Sequence, residues 1–246
     1  MKGYNFIGWI ILIAMWALVG QLGLINDHVL PGPVKTFKAF GYLYNENHLI
    51  TNIFFSLKIN FLGYVESVIG ALCFGLVLGS FETTRRMFSQ PVDALRFVPI
   101  TALGGIFIAL TGLTIWTKVH FLAFGIWVYL VPVVVQRLSE VSTTHLQMMQ
   151  TLGATKWQTF EFVQWKYVIS RLSDDIRILV GISWTYIIVA ELKNVQGGLG
   201  SLIWLGERQS KAEIVYAVII IIVIIGILQD FTFKLIDKLL FKFKYL

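Results

Sequence analysis

Residues 146–162 read LQMMQTLGATKWQTFEF, a polar stretch with a Gly-Ala-Thr break in a chain of 246 residues that is 57% hydrophobic. Upstream of the break, Val141, His145, Met148, Met149 and Leu152 recur at helical spacing on one face, with Glu140, Thr143, Thr144, Gln147 and Gln150 largely on the rest. Gly153 follows as a C-cap, because glycine enters the left-handed conformation without a steric penalty. Thr155-Lys156-Trp157-Gln158 then matches the T-x-x-Q capping box, which satisfies orphan amides at a new helix start. Trp157, Phe160 and Tyr167 continue along one face. The segment is expected to form two short helices joined by a sharp turn.

The remainder of the chain explains why such a segment stands out. Charged residues make up 14%, against about a quarter in ordinary soluble domains, and the mean hydropathy is +0.74. The fold class predicted is an all-α membrane protein, since a helix of about 20 apolar residues crosses a bilayer. Apolar windows place six transmembrane helices at 6–24, 53–80, 97–116, 119–135, 176–192 and 212–228, with the polar loop 136–175 between the fourth and fifth. Thr117 and Lys118 are read as the turn of a tight hairpin. The domains expected are an N-terminal helix and external loop over 1–48, a transmembrane core over 49–237 that includes the 136–175 loop, and a basic tail over 238–246. The 6–24 run is too long for a signal peptide and has no small-x-small cleavage site after it, so it is expected to be retained.

The net charge of +6 is better accounted for by lipid headgroups than by nucleic acid. With the N-terminus cytoplasmic, thirteen Lys and Arg lie inside. Six lie outside, namely Lys35, Lys38, Lys118, Lys193, Arg208 and Lys211. That bias puts both termini and the 136–175 loop in the cytoplasm. A single cysteine, Cys73, excludes an internal disulfide.

Enzyme chemistry finds little support. There is no G-x-x-x-x-G-K-[ST] phosphate loop and no H-E-x-x-H, and His28, His48, His120 and His145 lack metal spacing. Asp174 and Asp175 are read as capping a helix start. Glu66, near the centre of an apolar run, is either a pathway residue or an interhelical hydrogen-bond partner, because a charge there costs about 2.5 to 3.5 kcal/mol. Lys58 is expected to snorkel outward. Gly75 and Gly79, with the pair Gly104 and Gly105, suit close helix contact. The QGGLGSLIW segment, with Gly197, Gly198 and Gly200, is expected to form a short re-entrant or surface helix. The 139–168 segment could lie on the bilayer, but its polar face is rich in Thr and Gln rather than Lys and Arg. Its Met and aromatic face suits an adaptable protein-docking surface.

TLGATKWQTFEFV, with IRILVGISWTYIIVAEL and GGLGSLIW further on and LPGP at 30–33, resembles the permease subunits of bacterial ATP-binding-cassette importers of the nitrate, sulfonate, taurine and bicarbonate group. The resemblance implies that Gln147, Met148, Met149, Leu152, Gly153, Ala154, Thr155, Trp157 and Phe160 form a coupling helix for cytoplasmic ATPase subunits. It also implies Glu191 and the 197–200 glycines beside an external gate. The implied partners are ABC ATPases, a periplasmic or lipid-anchored substrate-binding protein, a second permease copy and the lipid membrane. No cofactor is implied in this chain itself, ATP and magnesium being bound by the ATPase. The implied location is the bacterial inner membrane, and the implied solute a small anion such as nitrate, bicarbonate or an alkyl sulfonate, with thiamine-precursor-like molecules as the alternative. The departures are Gln147-Met148-Met149 where the family carries Glu-Ala-Ala, and Lys166 and Ser170 in place of prolines. A homo-oligomeric channel or a secondary transporter stays open as the alternative, and a membrane enzyme is disfavoured.

Overall fold

The computed structural model describes residues 2–23, 25–193 and 196–244, with side chains from residue 7. Leu24, the expected last residue of the first span, and Tyr245 and Leu246 of the expected basic tail lie outside the described residues. Every regular element among the described residues is helical. The chain divides into two compact units, Met1–Lys58 with Glu191–Ile225, and Ile59–Ala190 with Gly226–Leu246.

The first unit holds α1 (Lys2–Gln21), α2 (Pro33–Glu46), the start of α3 (Leu49–Ser80), the end of α10 (Val180–Lys193), α11 (Leu199–Arg208) and the start of α12 (Ala212–Leu240). The 25–52 connection, read as a loop, contains α2, which opens with Pro33 at a position where the missing N–H is no loss. Thr36, Ala39 and Leu43 form its buried face. The Trp16 indole donates to the Pro31 carbonyl at 3.0 Å, and Gly20 lets Gly32 approach so closely that an added Cβ would sit 3.0 Å from the Gly32 Cα. On α12, Ile214, Ala217, Val218 and Ile221 are buried at helical spacing.

The second unit comprises the rest of α3, α4 (Glu82–Leu95), a 3₁₀ turn (Ile100–Leu103) leading into α5 (Gly104–Thr111), and α6 (Ile115–Ser139). There follow α7 (Thr143–Thr151), α8 (Lys156–Thr159), a π-helical turn (Phe160–Trp165), α9 (Lys166–Ile178), most of α10 and the end of α12. Helices α3 and α6 run parallel in close contact. Cβ atoms added at Gly63, Gly75 and Gly79 would meet Leu122, Val134 and Leu138 at 2.8, 2.7 and 2.5 Å. Glycine at these places permits the approach that lipid does not drive. Gly104 is likewise buried, whereas Gly105 faces open space.

Two sequence readings need correction. Thr117 and Lys118 are not a turn; both are buried in the first turn of α6, so Lys118 is not a loop charge. The reversal lies at Gly112, with φ of +74°, and Thr114 caps α6 through a reciprocal pair with Thr117. Asp174 and Asp175 do not start a helix, because α9 begins at Lys166 and carries them toward its C-terminal end. There they meet cations instead: Asp175 binds Arg137 and Asp174 binds Lys244 at 2.7 and 2.8 Å.

Among the described residues, three helices, α3, α6 and α12, are long and apolar enough to cross a membrane, or four if α4 and 100–111, bent by 84°, count as one. The expected 97–116 span is therefore short, since Gly112 ends it before it reaches the roughly 30 Å of a hydrocarbon core. The expected 176–192 span is α10 with the end of α9, broken at Leu179. The Tyr64 hydroxyl donates to the Ile176 carbonyl at 2.9 Å, taking up an acceptor at the break.

Candidate functional site

The 140–165 hairpin is built as its sequence dictates. Helix α7 ends at Thr151 with Leu152 as its C-cap, and Gly153 follows with φ of +71°. The Gly153 N–H donates to the Gln150 carbonyl and the Ala154 N–H to the Met149 carbonyl, both at 3.0 Å, the two bonds of a Schellman motif. Thr155 then caps α8: its N–H donates to Gln158 Oε1 at 2.8 Å, and the Gln158 N–H donates to Thr155 Oγ1 at 3.2 Å. Helix α8 passes directly into the π turn, a geometry that recurs at functional sites.

No residue of α7 or α8 is buried. Met148, Leu152 and Trp157 are exposed by 51, 73 and 68%, an apolar surface outside the helices long enough to cross a membrane. Gln147, Thr155 and Gly153 are exposed beside them, and Met149, Ala154 and Phe160 are half-buried. Trp157 packs on Phe160 at 5.7 Å and Phe160 on Trp165 at 6.3 Å. A cavity of about 600 Å³ separates this aromatic row from Leu76, Val77 and Phe81 at the end of α3.

The roots of the hairpin are clamped. Arg137 donates to both oxygens of Asp175, at 2.8 and 2.7 Å, and to Glu140 at 2.7 and 3.0 Å. This joins α6, the hairpin entrance and α9 through one guanidinium fork. The fork holds the Glu140 carboxyl below its ordinary range, first through the hydrogen bond from Arg137. Val141, Val168 and Leu172, on the hairpin entrance and α9, are buried. The sequence reading missed this clamp, because 38 residues separate Arg137 from Asp175.

In the first unit the glycine-rich segment is pinned by side chains. The amides of Gly198, Leu199 and Gly200 donate to Asn52 Oδ1, Ser56 Oγ and Glu191 Oε2 at 2.7, 2.8 and 2.7 Å. Ser56 Oγ donates in turn to Glu191 Oε1 at 2.7 Å. Glu191 is fully buried; it anchors the start of α11. Gly197 and Gly198 have φ of +102° and +99°, and a Cβ at Gly198 would fall 2.1 Å from Glu191 Oε1. Asn52 and Ser56 were missed, although Asn52, Ser56, Asn60 and Tyr64 form a stripe four residues apart on an otherwise apolar helix, a signal that could have been read.

In the second unit Glu66, near the middle of α3, meets His120 Nδ1 at 2.8 and 2.9 Å, with side chains 43 and 39% exposed. The His120 ring stacks on Trp116 at 6.0 Å. Asn60, Ser183, Trp184 and Gln229 form a separate interior network, with Asn60 donating to Ser183 at 2.9 Å and Trp184 to Gln229 at 2.6 Å. Lys58 is exposed. No cluster of His, Cys, Asp and Glu suited to a metal occurs among the described residues.

Long apolar helices with a clamped polar hairpin between α6 and α9 mark a multi-pass membrane protein. The chain belongs to the family of binding-protein-dependent transport system inner membrane components, which it matches over residues 71–242. It is 26% identical over 237 residues to a Bacillus subtilis (strain 168) protein named as an aliphatic sulfonates transport permease, SsuC, covering 95% of this chain and 85% of that one. It is 22% identical to the taurine transport system permease protein TauC of Escherichia coli (strain K12), covering 93% and 85%. Its fold is similar to a chain of the MetNI methionine ABC transporter in inward-facing conformations, with a TM-score of 0.69 at 19% identity, covering 77% of this chain and 94% of that one. It is thus an ABC importer permease subunit of the inner membrane.

Proposed function

We propose that this permease couples ATP hydrolysis on separate cytoplasmic ATPase subunits to the import of a small anion delivered by an external binding protein. The observation that carries the reading is the exposed hairpin of Met148, Leu152 and Trp157, clamped at its root by Arg137 to both α6 and α9. A partner pressing on α7 moves both helices together, which alternating access between two states requires. The absence of the acidic residue at Gln147-Met148-Met149 shifts docking toward Met and aromatic packing. The Lys and Arg bias supports cytoplasmic termini, and burial of Lys118 removes one charge from the external side.

The solute class follows the sulfonate and taurine names of the relatives, with two copies of this chain enclosing the path. Glu66 and His120 belong to that path, since a half-exposed carboxylate and imidazole at this depth face water or protein rather than acyl chains. Glu191 and Gly197, Gly198 and Gly200 act at the gate by holding α11. Reconstitution with the cognate ATPase and binding protein tests the reading: taurine or methanesulfonate uptake requires ATP, and loaded binding protein stimulates hydrolysis. Uptake driven by an ion gradient without ATP would establish the secondary-transporter alternative.

A further inference from the structure

Lys35, Lys38 and Lys211 converge on one cavity of about 360 Å³ between α2 and the start of α12, the volume of about a dozen waters. Lys211 directly precedes the apolar run of α12, and α2 exposes Val34, Phe37 and Tyr44. This is the composition of a bilayer boundary. Lys35 is paired with Asp27, and the Lys211 ammonium sits 5.0 Å over the Tyr42 ring. Lys38 has no hydrogen-bond or ion-pair partner among the described residues. Glu213 is the one carboxylate lining the cavity, so the pocket retains an excess of positive charge.

A second cavity, of about 450 Å³, is a cleft lined by Met15, Val19, Ile219 and Ile220 among other apolar residues of α1 and α12. Glu213, Tyr216 and Ile220 are three and four residues apart on α12, which sets the two cavities one after the other along a single stripe. We propose that together they hold one anionic phospholipid of the surrounding bilayer, its phosphate between Lys38 and Lys211 and an acyl chain in the cleft. A soluble anion or an acidic protein would use the lysines and leave the cleft empty. A neutral lipid would use the cleft and ignore the lysines. Only an anionic lipid satisfies both.

The test uses the full chain reconstituted in phosphatidylcholine vesicles containing chain-spin-labelled phosphatidylglycerol or phosphatidylcholine, with the motionally restricted fraction read by electron paramagnetic resonance. Wild type retains labelled phosphatidylglycerol in preference to phosphatidylcholine. Each ammonium near a membrane surface is worth about fivefold, so Lys38→Gln with Lys211→Gln lowers the phosphatidylglycerol preference by about 25-fold at low salt. Lys38→Arg keeps the preference, which separates lost charge from lost fold. Val19→Trp, which fills the cleft, lowers retention of both lipids, and added glycerol phosphate displaces neither. Equal retention of the two lipids by wild type, an unchanged preference in the double variant, or displacement by glycerol phosphate would overturn the site. Loss of binding to an acidic external protein with lipid preference intact would also overturn it, in favour of protein docking.

Discussion

Replacing Gly153 by valine tests whether the hairpin turn transmits force. The residue sits at φ of +71°, where a non-glycine side chain stores about 1 to 3 kcal/mol and a β-branched one lies at the upper end. Two backbone bonds hold the turn, from Gly153 to Gln150 and from Ala154 to Met149, each worth about 1 kcal/mol net. Strain of about 3 therefore exceeds a hold of about 2, leaving the native turn in roughly one molecule in six. An added Cβ would meet nothing within 4 Å, so the cost is conformational and the rest of the chain inserts and folds normally. In proteoliposomes with the cognate ATPase and binding protein, Gly153→Val lowers coupled uptake about sixfold. Gly153→Asn, which tolerates the left-handed region, stays within about twofold. Wild-type uptake by the valine variant, or equal loss in both, would refute the argument.

Gly198→Ala places a Cβ 2.1 Å from Glu191 Oε1 at φ of +99°. Conformational strain of about 1 to 2 kcal/mol adds to about 1.5 to 3 for a disrupted charged hydrogen bond, and a thermal melt in detergent shows a clear drop; an unchanged melt removes the anchor. Gly75→Leu overpacks α3 against Val134 and destabilises by about 1 to 3 kcal/mol or more, whereas Gly105→Ala, facing open space, is neutral in the same melt. Because the folded-state pKa of Glu140 is depressed, its link to Arg137 is fully present above the ordinary carboxylate range and is lost as pH falls through the lowered value. Glu140→Gln removes that acid-side dependence, and an identical stability–pH profile would count against the link. Glu66→Gln and His120→Gln each lower the rate of coupled uptake, and the double variant is no worse than the stronger single one; additive losses would mean that the two act separately.

The turn of the hairpin was legible because its determinants are local. Gly153, Thr155 and Gln158 fall within six residues, and each imposes its backbone geometry on its neighbours without help from elsewhere. The reversal before α6 was misplaced for the opposite reason. Thr117 and Lys118 are polar and so read as loop, but the Thr114 capping box and burial inside the second unit draw them into the helix. Likewise Asp174 and Asp175 carry a charge signal without an address, and their partners Arg137 and Lys244 lie tens of residues away.

By itself, the sequence determined that this is an all-helical membrane protein with a sharply turned polar hairpin, because hydropathy and capping are properties of short windows. Only the tertiary structure decided how the helices are broken, which glycines press on a neighbour, and that Glu191 binds the amides of α11 while Glu66 meets His120. Glu66 and His120 are 54 residues apart and Ser56 and Glu191 are 135 apart, and no periodicity within one segment encodes what lies across from it.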